Sequence, residues 1–129
     1  KKDERPRIAG VYLNRLRAGM PLQADPTVIY AIKKKSNDFE QVIKRVFYKD
    51  LTMSHPYNTY NNLGLPPGPI AMPDITALEA VLDPEKNDFI YFCASIDRFG
   101  YHEFAATYEE HTKNAKKYSD WINSQDVKR

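Results

Sequence analysis

The chain has 129 residues, 42% of them hydrophobic, which supports one modest core and places it in the single-domain range. Its 19 Lys and Arg against 17 Asp and Glu leave a net charge of +2, with no basic run beyond Lys33-Lys34-Lys35, so the electrostatic footprint of a nucleic-acid-binding protein is absent. The single cysteine, Cys93, excludes an internal disulfide, and His55, His102 and His111 lack the paired spacing of zinc ligands, so no metal and no cofactor is expected.

Ile8, Val11, Tyr12 and Leu16 recur at helical spacing ahead of Gly19 and predict a first helix over about residues 4 to 18, with Pro6 tolerated in its first turn. After the extended link Met20 to Ala24, Asp25 and Pro26 read as N-cap and first-turn residues of a second helix that buries Val28, Ile29 and Ile32 and fades into the three lysines. Asp38 and Gln41 have capping-box spacing, and the stripe Phe39, Val42, Ile43, Val46 and Phe47 predicts a third helix. The stretch Thr52 to Pro73 is rich in Pro, Gly and Asn yet carries Tyr57, Tyr60, Leu63, Leu65 and Ile70, so it reads as a stiff ordered loop rather than a linker.

Asp74 or Thr76 can cap a fourth helix that buries Ile75, Leu78, Val81 and Leu82 and stops at Pro84. Phe89 to Ala94, with Cys93 as a small buried side chain, predicts a strand; Asp97 to Gly100 turns, and Tyr101 to Phe104 pairs back. Thr107 and Glu110 cap a last helix whose inner face is Tyr108, His111, Ala115, Tyr118 and Ile122. The fold class is therefore α+β, a mostly helical single domain with a small β-hairpin. No run of about 18 apolar residues and no signal segment occurs, so the chain is expected to be soluble by itself. The helical pattern begins almost at Lys1, and the chain reads as a piece of something longer.

The densest polar and aromatic constellation is His55 to Asn62, followed by Gly64-Leu65-Pro66-Pro67-Gly68-Pro69-Ile70. Tyr57 and Tyr60 offer flat faces with polar tips, and Asn58 and Thr59 offer donors and acceptors, which suits sugar rings bearing amides and hydroxyls. A structural loop whose tyrosines pack on the core explains the same composition equally well. In the second constellation, Leu22 to Thr27, Gln23 could point into a cleft, whereas Asp25 is accounted for as a cap. His102 reads as a hydrogen-bonded structural residue, and Glu103 alternates to the opposite strand face. No phosphate loop, nucleophile elbow or Cys–His pair is visible.

Four blocks occur in one order. They are Glu4-Arg5-Pro6-Arg7-Ile8-Ala9-Gly10-Val11-Tyr12-Leu13-Asn14-Arg15-Leu16, Leu22-Gln23-Ala24-Asp25-Pro26-Thr27-Val28-Ile29-Tyr30, Pro56-Tyr57-Asn58-Thr59-Tyr60 running into Gly64 to Ile70, and His102-Glu103-Phe104 with Thr107 and His111. Together they resemble the C-terminal catalytic region of the YceG-like endolytic murein transglycosylases. The resemblance implies a lytic-transglycosylase-like region within a longer parent, anchored in the bacterial inner membrane by an N-terminal helix and carrying a LysM-like subdomain, with its catalytic part outside the cytoplasm. It implies cleavage of nascent glycan between N-acetylmuramic acid and N-acetylglucosamine, leaving a 1,6-anhydro end, with peptidoglycan strands as substrate and synthases as partners.

That chemistry needs one carboxylic acid protonated near neutral pH. In the family the glutamate lies in a motif a few residues before the block that here begins at Glu4, so residues 1–129 are expected to lack it and to be inactive alone. Glu4 is the fallback acid, weakened by its expected place among charges at an exposed helix start. Gln23, Tyr57, Asn58, Thr59 and Tyr60 are, on this reading, the substrate-binding candidates, and Asn58→Ala is expected to lower turnover without harming the fold. The rival readings are a non-catalytic glycan-binding or scaffold module and, for want of a phosphate cup, less convincingly an aminodeoxychorismate lyase.

Overall fold

The computed structural model describes residues 1–125. These residues divide into two compact units, residues 1–15 with 73–125, and Leu16–Met72.

In the first unit a 3-10 turn, Lys2–Glu4, leads into helix α1, Arg5–Arg17, with Ala9, Gly10, Val11 and Arg15 buried. Beyond it Gly19 adopts φ +68°, open to glycine without steric cost, and its N–H closes on Leu16 O at 3.3 Å. Against α1 runs the segment before the hairpin: Glu85 N–H donates to Pro6 O at 2.9 Å, and Asn14 Nδ2 donates to the carbonyls of Asn87 and Phe89 at 2.8 and 2.9 Å. Helix α4, Ile75–Leu82, is capped by Asp74, whose side chain accepts from Ala77 N at 3.0 Å. Strands β1, Tyr91–Ala94, and β2, His102–Ala105, pair antiparallel, with Ala94 opposite His102 and Tyr91 opposite Ala105.

Gly100 at φ +83° turns this hairpin, and Ser95 N–H closes it on Tyr101 O at 2.9 Å. Helix α5, Tyr108–Ser124, starts at Thr107, which accepts from Glu110 N–H, and packs on the hairpin with His111 stacked on Tyr91, ring centroids 4.8 Å apart. Its less exposed side carries His111, Ala115, Tyr118 and Ile122, whereas Tyr108, expected on the same inner face, is 66% exposed. Strand β1 is half-buried rather than buried, and so is Cys93, whose thiol pKa burial pushes up.

Two further expectations fail in this part of the chain. The apolar face of α4 is not core: Ile75 is 68% and Leu82 85% exposed, Leu78 and Val81 are exposed too, and the buried residue is Ala80. Glu4 is not at an exposed helix start; it is 6% exposed.

The second unit holds helices α2, Asp25–Ser36, and α3, Tyr48–Leu51, which pack together, and the ordered loop that follows. Leu22, Val28 and Ala31 form its apolar centre with the buried Thr27, Asn58 and Thr59. Helix α2 runs through the lysines and stops where Asn37 turns left-handed at φ 53°. The helix predicted over Asp38 to Phe47 does not form. Its polar residues serve the turn instead: Asp38 Oδ1 accepts from Glu40 N–H, and Gln41 Nε2 reaches back to Ser36 Oγ at 2.7 Å. From Gln41 to Arg45 burial alternates residue by residue, the pattern of extended chain, in keeping with β-branched Val42 and Ile43.

Candidate functional site

The residues singled out in the sequence come together within the second unit, where the Leu22–Thr27 stretch meets the His55–Asn62 loop. Thr59 joins them. Its carbonyl accepts from Gln23 N–H at 3.4 Å, and its Oγ1 accepts from Ala24 N–H at 2.9 Å and lies 2.8 Å from Thr27 Oγ1. The Thr59 side chain is 1% exposed, so these are desolvated bonds of the kind that specify one arrangement.

Asn58 organises the loop from inside. Fully buried, it donates through Nδ2 to Leu51 O and Met53 O at 3.0 and 2.7 Å, while its Oδ1 accepts from Tyr60 N–H at 2.9 Å. Asn61 and Asn62 add side-chain bonds to Met53 O and His55 O. The asparagines therefore do for this loop what a ladder does for a strand: they satisfy the backbone of an irregular segment.

What faces outward is a different subset. Gln23 is exposed and adopts φ 50°, a left-handed conformation that non-glycine residues rarely hold without reason. Tyr60 donates from its hydroxyl to Asp25 Oδ1 at 2.5 Å. Tyr57 is half-buried, its ring 4.8 Å from that of Tyr30, and Lys34 Nζ lies 5.7 and 5.9 Å from the two ring centroids. Gly68 passes so close that an added Cβ would stand 3.1 Å from the Tyr57 hydroxyl.

Asp25 is not the N-cap that its place before Pro26 suggested. Ala24 caps α2 without a side-chain bond, and Asp25 occupies the first helical position. No local signal marks its pairing with Tyr60, which stands 35 residues away along the chain.

Glu4 lies in the other unit. Its Oε1 accepts from His102 N–H and its Oε2 from His102 Nδ1, both at 2.9 Å. Burial raises the proton affinity of the carboxyl, but the two hydrogen bonds from His102 and the charges nearby outweigh it and leave the group below its ordinary range. A general acid for glycoside cleavage needs the opposite shift. Glu103 points elsewhere, accepting from Ser95 Oγ at 2.8 Å, so His102 and Glu103 do not act as a pair. Asp74 and Glu85 are likewise held down, by Arg5 and by Arg7. Among the described residues no group of His, Cys, Asp and Glu is gathered closely enough to hold a metal ion.

The arrangement, an outward Gln–Asp–Tyr face on a loop stiffened by proline and buried asparagine, coincides with a match to the model of the YceG-like family over residues 1–117. The chain belongs to the YceG-like family. It is 47% identical over 118 residues to the endolytic murein transglycosylase of Bacillus subtilis strain 168, which covers 92% of this chain and 30% of that protein. The endolytic murein transglycosylase of Streptococcus pneumoniae serotype 2 is 34% identical over the same share of this chain and 21% of its own length. A YceG-like protein of Listeria monocytogenes, known from a 2.6 Å crystal structure, superposes with a TM-score of 0.71 at 46% identity, covering 82% of this chain and 32% of that one. The chain thus spans about a third or less of the YceG-like proteins it matches, and its mixed architecture of helices with one small antiparallel hairpin matches that of the Listeria protein.

Proposed function

We propose that this chain supplies the glycan-holding part of an endolytic murein transglycosylase, which cuts between N-acetylmuramic acid and N-acetylglucosamine and leaves a 1,6-anhydro end. The observation that carries the reading is the Thr59 clamp, which joins the two sequence constellations and leaves Gln23 exposed and Tyr60 half-buried beside it, in a chain whose relatives bear that activity's name. Gln23, Tyr57 and Tyr60 contact the sugar. Asn58 and Thr59 act from beneath, by holding the loop.

The reaction needs a carboxylic acid of raised pKa to protonate the leaving oxygen, after which the sugar's own 6-hydroxyl attacks. Glu4 is sequestered by His102 and shifted the wrong way, which supports an acid outside residues 1–129 and an inactive chain in isolation. The parent acts outside the cytoplasm on peptidoglycan strands, beside the synthases that make them. No helix among the described residues is long and apolar enough to cross a membrane, so an anchor would have to come from elsewhere in the parent.

The test is to incubate uncrosslinked peptidoglycan with this chain and with a longer version carrying the family's glutamate motif. Mass spectrometry then looks for 1,6-anhydromuramyl ends. Such ends from the longer protein alone are the expected result. Ends from residues 1–129 would return the acid to this chain, and ends from neither would sink the transglycosylase reading.

A further inference from the structure

Asp25 sits in the first turn of α2, where its charge suits the helix dipole, but it does not cap that helix. Ala24 is the N-cap of α2, the Thr27 N–H is taken by the Ala24 carbonyl at 2.9 Å, and the Asp25 side chain caps nothing. Nor is it needed to tie the loop to α2, because the buried Thr59 bonds to Ala24 and Thr27 already do so. A hydrogen bond between solvent-exposed groups adds little to stability, since water offers both partners an equivalent. What the Tyr60 bond does accomplish is orientation.

Tyr60 is held at both ends, its N–H by buried Asn58 and its hydroxyl by Asp25 Oδ1, and the carboxylate is fixed in turn. Among the described residues no hydrogen bond reaches Asp25 Oδ2. Asp25 is an exposed residue, as is Gln23 two positions before it. A carboxylate only accepts, so the ligand group opposite it must be a donor, and an amide N–H on a charged acceptor makes one of the stronger neutral-to-ion bonds.

We propose that Asp25 is a ligand-orienting carboxylate, whose Oδ2 accepts the acetamido N–H of an N-acetylated sugar lying on the face formed by Gln23, Asp25 and Tyr60. The inference rests on the glycan-holding reading above and adds to it the residue that tells an acetamido sugar from a plain hexose. Asp25 and Tyr60 are preset for this before any ligand arrives, which reduces the entropy lost on binding.

The experiment titrates the chain with tetra-N-acetylchitotetraose and, separately, with cellotetraose, followed by amide chemical shifts. The unaltered chain should favour the acetylated oligomer. Asp25→Ala should weaken that oligomer by on the order of tenfold, the value of one hydrogen bond to a charged group, with cellotetraose barely affected and the thermal midpoint kept. Tyr60→Phe, which retains the ring, should lose part of the same preference. Equal binding of the acetylated oligomer by Asp25→Ala, or equal weakening of both sugars, overturns the role of Asp25 while leaving the glycan reading intact. No binding of either sugar by the unaltered chain overturns both.

Discussion

Asn58 illustrates how a side chain can belong to a site without touching its ligand. With 0% exposure and all three of its side-chain bonds made to neighbouring backbone, it leaves no atom for a sugar, and its removal would strand the Leu51 carbonyl and the Tyr60 N–H, while Met53 O keeps its bond from Asn61. The sequence-based expectation of an intact fold in Asn58→Ala therefore gives way to another. The substitution should cost about 3 kcal/mol, the sum of lost bonds and unsatisfied buried groups, measured by denaturant unfolding. A loss under about 1 kcal/mol would show that the Leu51 carbonyl and the Tyr60 N–H find other partners readily. At this scale the residue types of the site were legible, since Tyr, Asn and Thr in a proline-rich stretch announce a stiff polar loop. Which of them face in and which face out was not, because both arrangements satisfy the same composition.

Among elements, the close approach of α1 to the segment leading to β1 depends on a glycine. Gly10 has no φ requirement, yet a Cβ there would stand 2.5 Å from the Glu85 carbonyl oxygen and 2.9 Å from Asn87 Nδ2. Gly10→Ala thus trades a gain in helix propensity for a clash with backbone that cannot rotate away. The expected outcome is a net loss of about 2 kcal/mol in chemical denaturation, the cost of overpacking a close contact; a stabilised variant would mean the segment can withdraw. The helix over Asp38 to Phe47 teaches the converse. Its stripe of apolar residues fitted a helical period, but Asn37 had already ended α2 and the local side-chain bonds of Asp38 and Gln41 were worth more than a capping box. Short amphipathic stripes rich in Val and Ile are ambiguous between helix and extended chain, and here the extended form prevails.

For the molecule as a whole, acid should act in two stages. His111 is stacked on Tyr91 with its Nδ1 buried and unbonded; burial, then the Arg15 charge, lower its pKa below 6.5, so the folded state prefers the neutral ring. Below pH 6.5 the unfolded state takes up that proton first, and stability falls as the pH drops through the folded value. Glu4, Asp74 and Glu85 are also depressed, so their contribution is complete above about pH 4.5 and is lost as the pH falls further. Thermal unfolding from pH 8 to 3 should show both declines, and His111→Gln should remove the upper one alone. A flat profile between pH 7 and 5 in the unaltered chain would mean that His111 finds a proton acceptor when it charges.

Residue order alone determined the family, through four blocks whose joint occurrence needs no coordinates, and also α1, α2, α4, the hairpin and α5. Their start and stop signals, at Pro6, Asp74, Gly100 and Thr107, act on backbone only a few residues away. Tertiary structure decided the rest. The apolar side of α4 stayed exposed, Glu4 was buried under His102, and Asp25 found Tyr60 rather than its own helix. Each of these depends on a partner tens of residues distant, and a side chain's proton affinity or facing is set by what surrounds it in space, which local pattern does not encode.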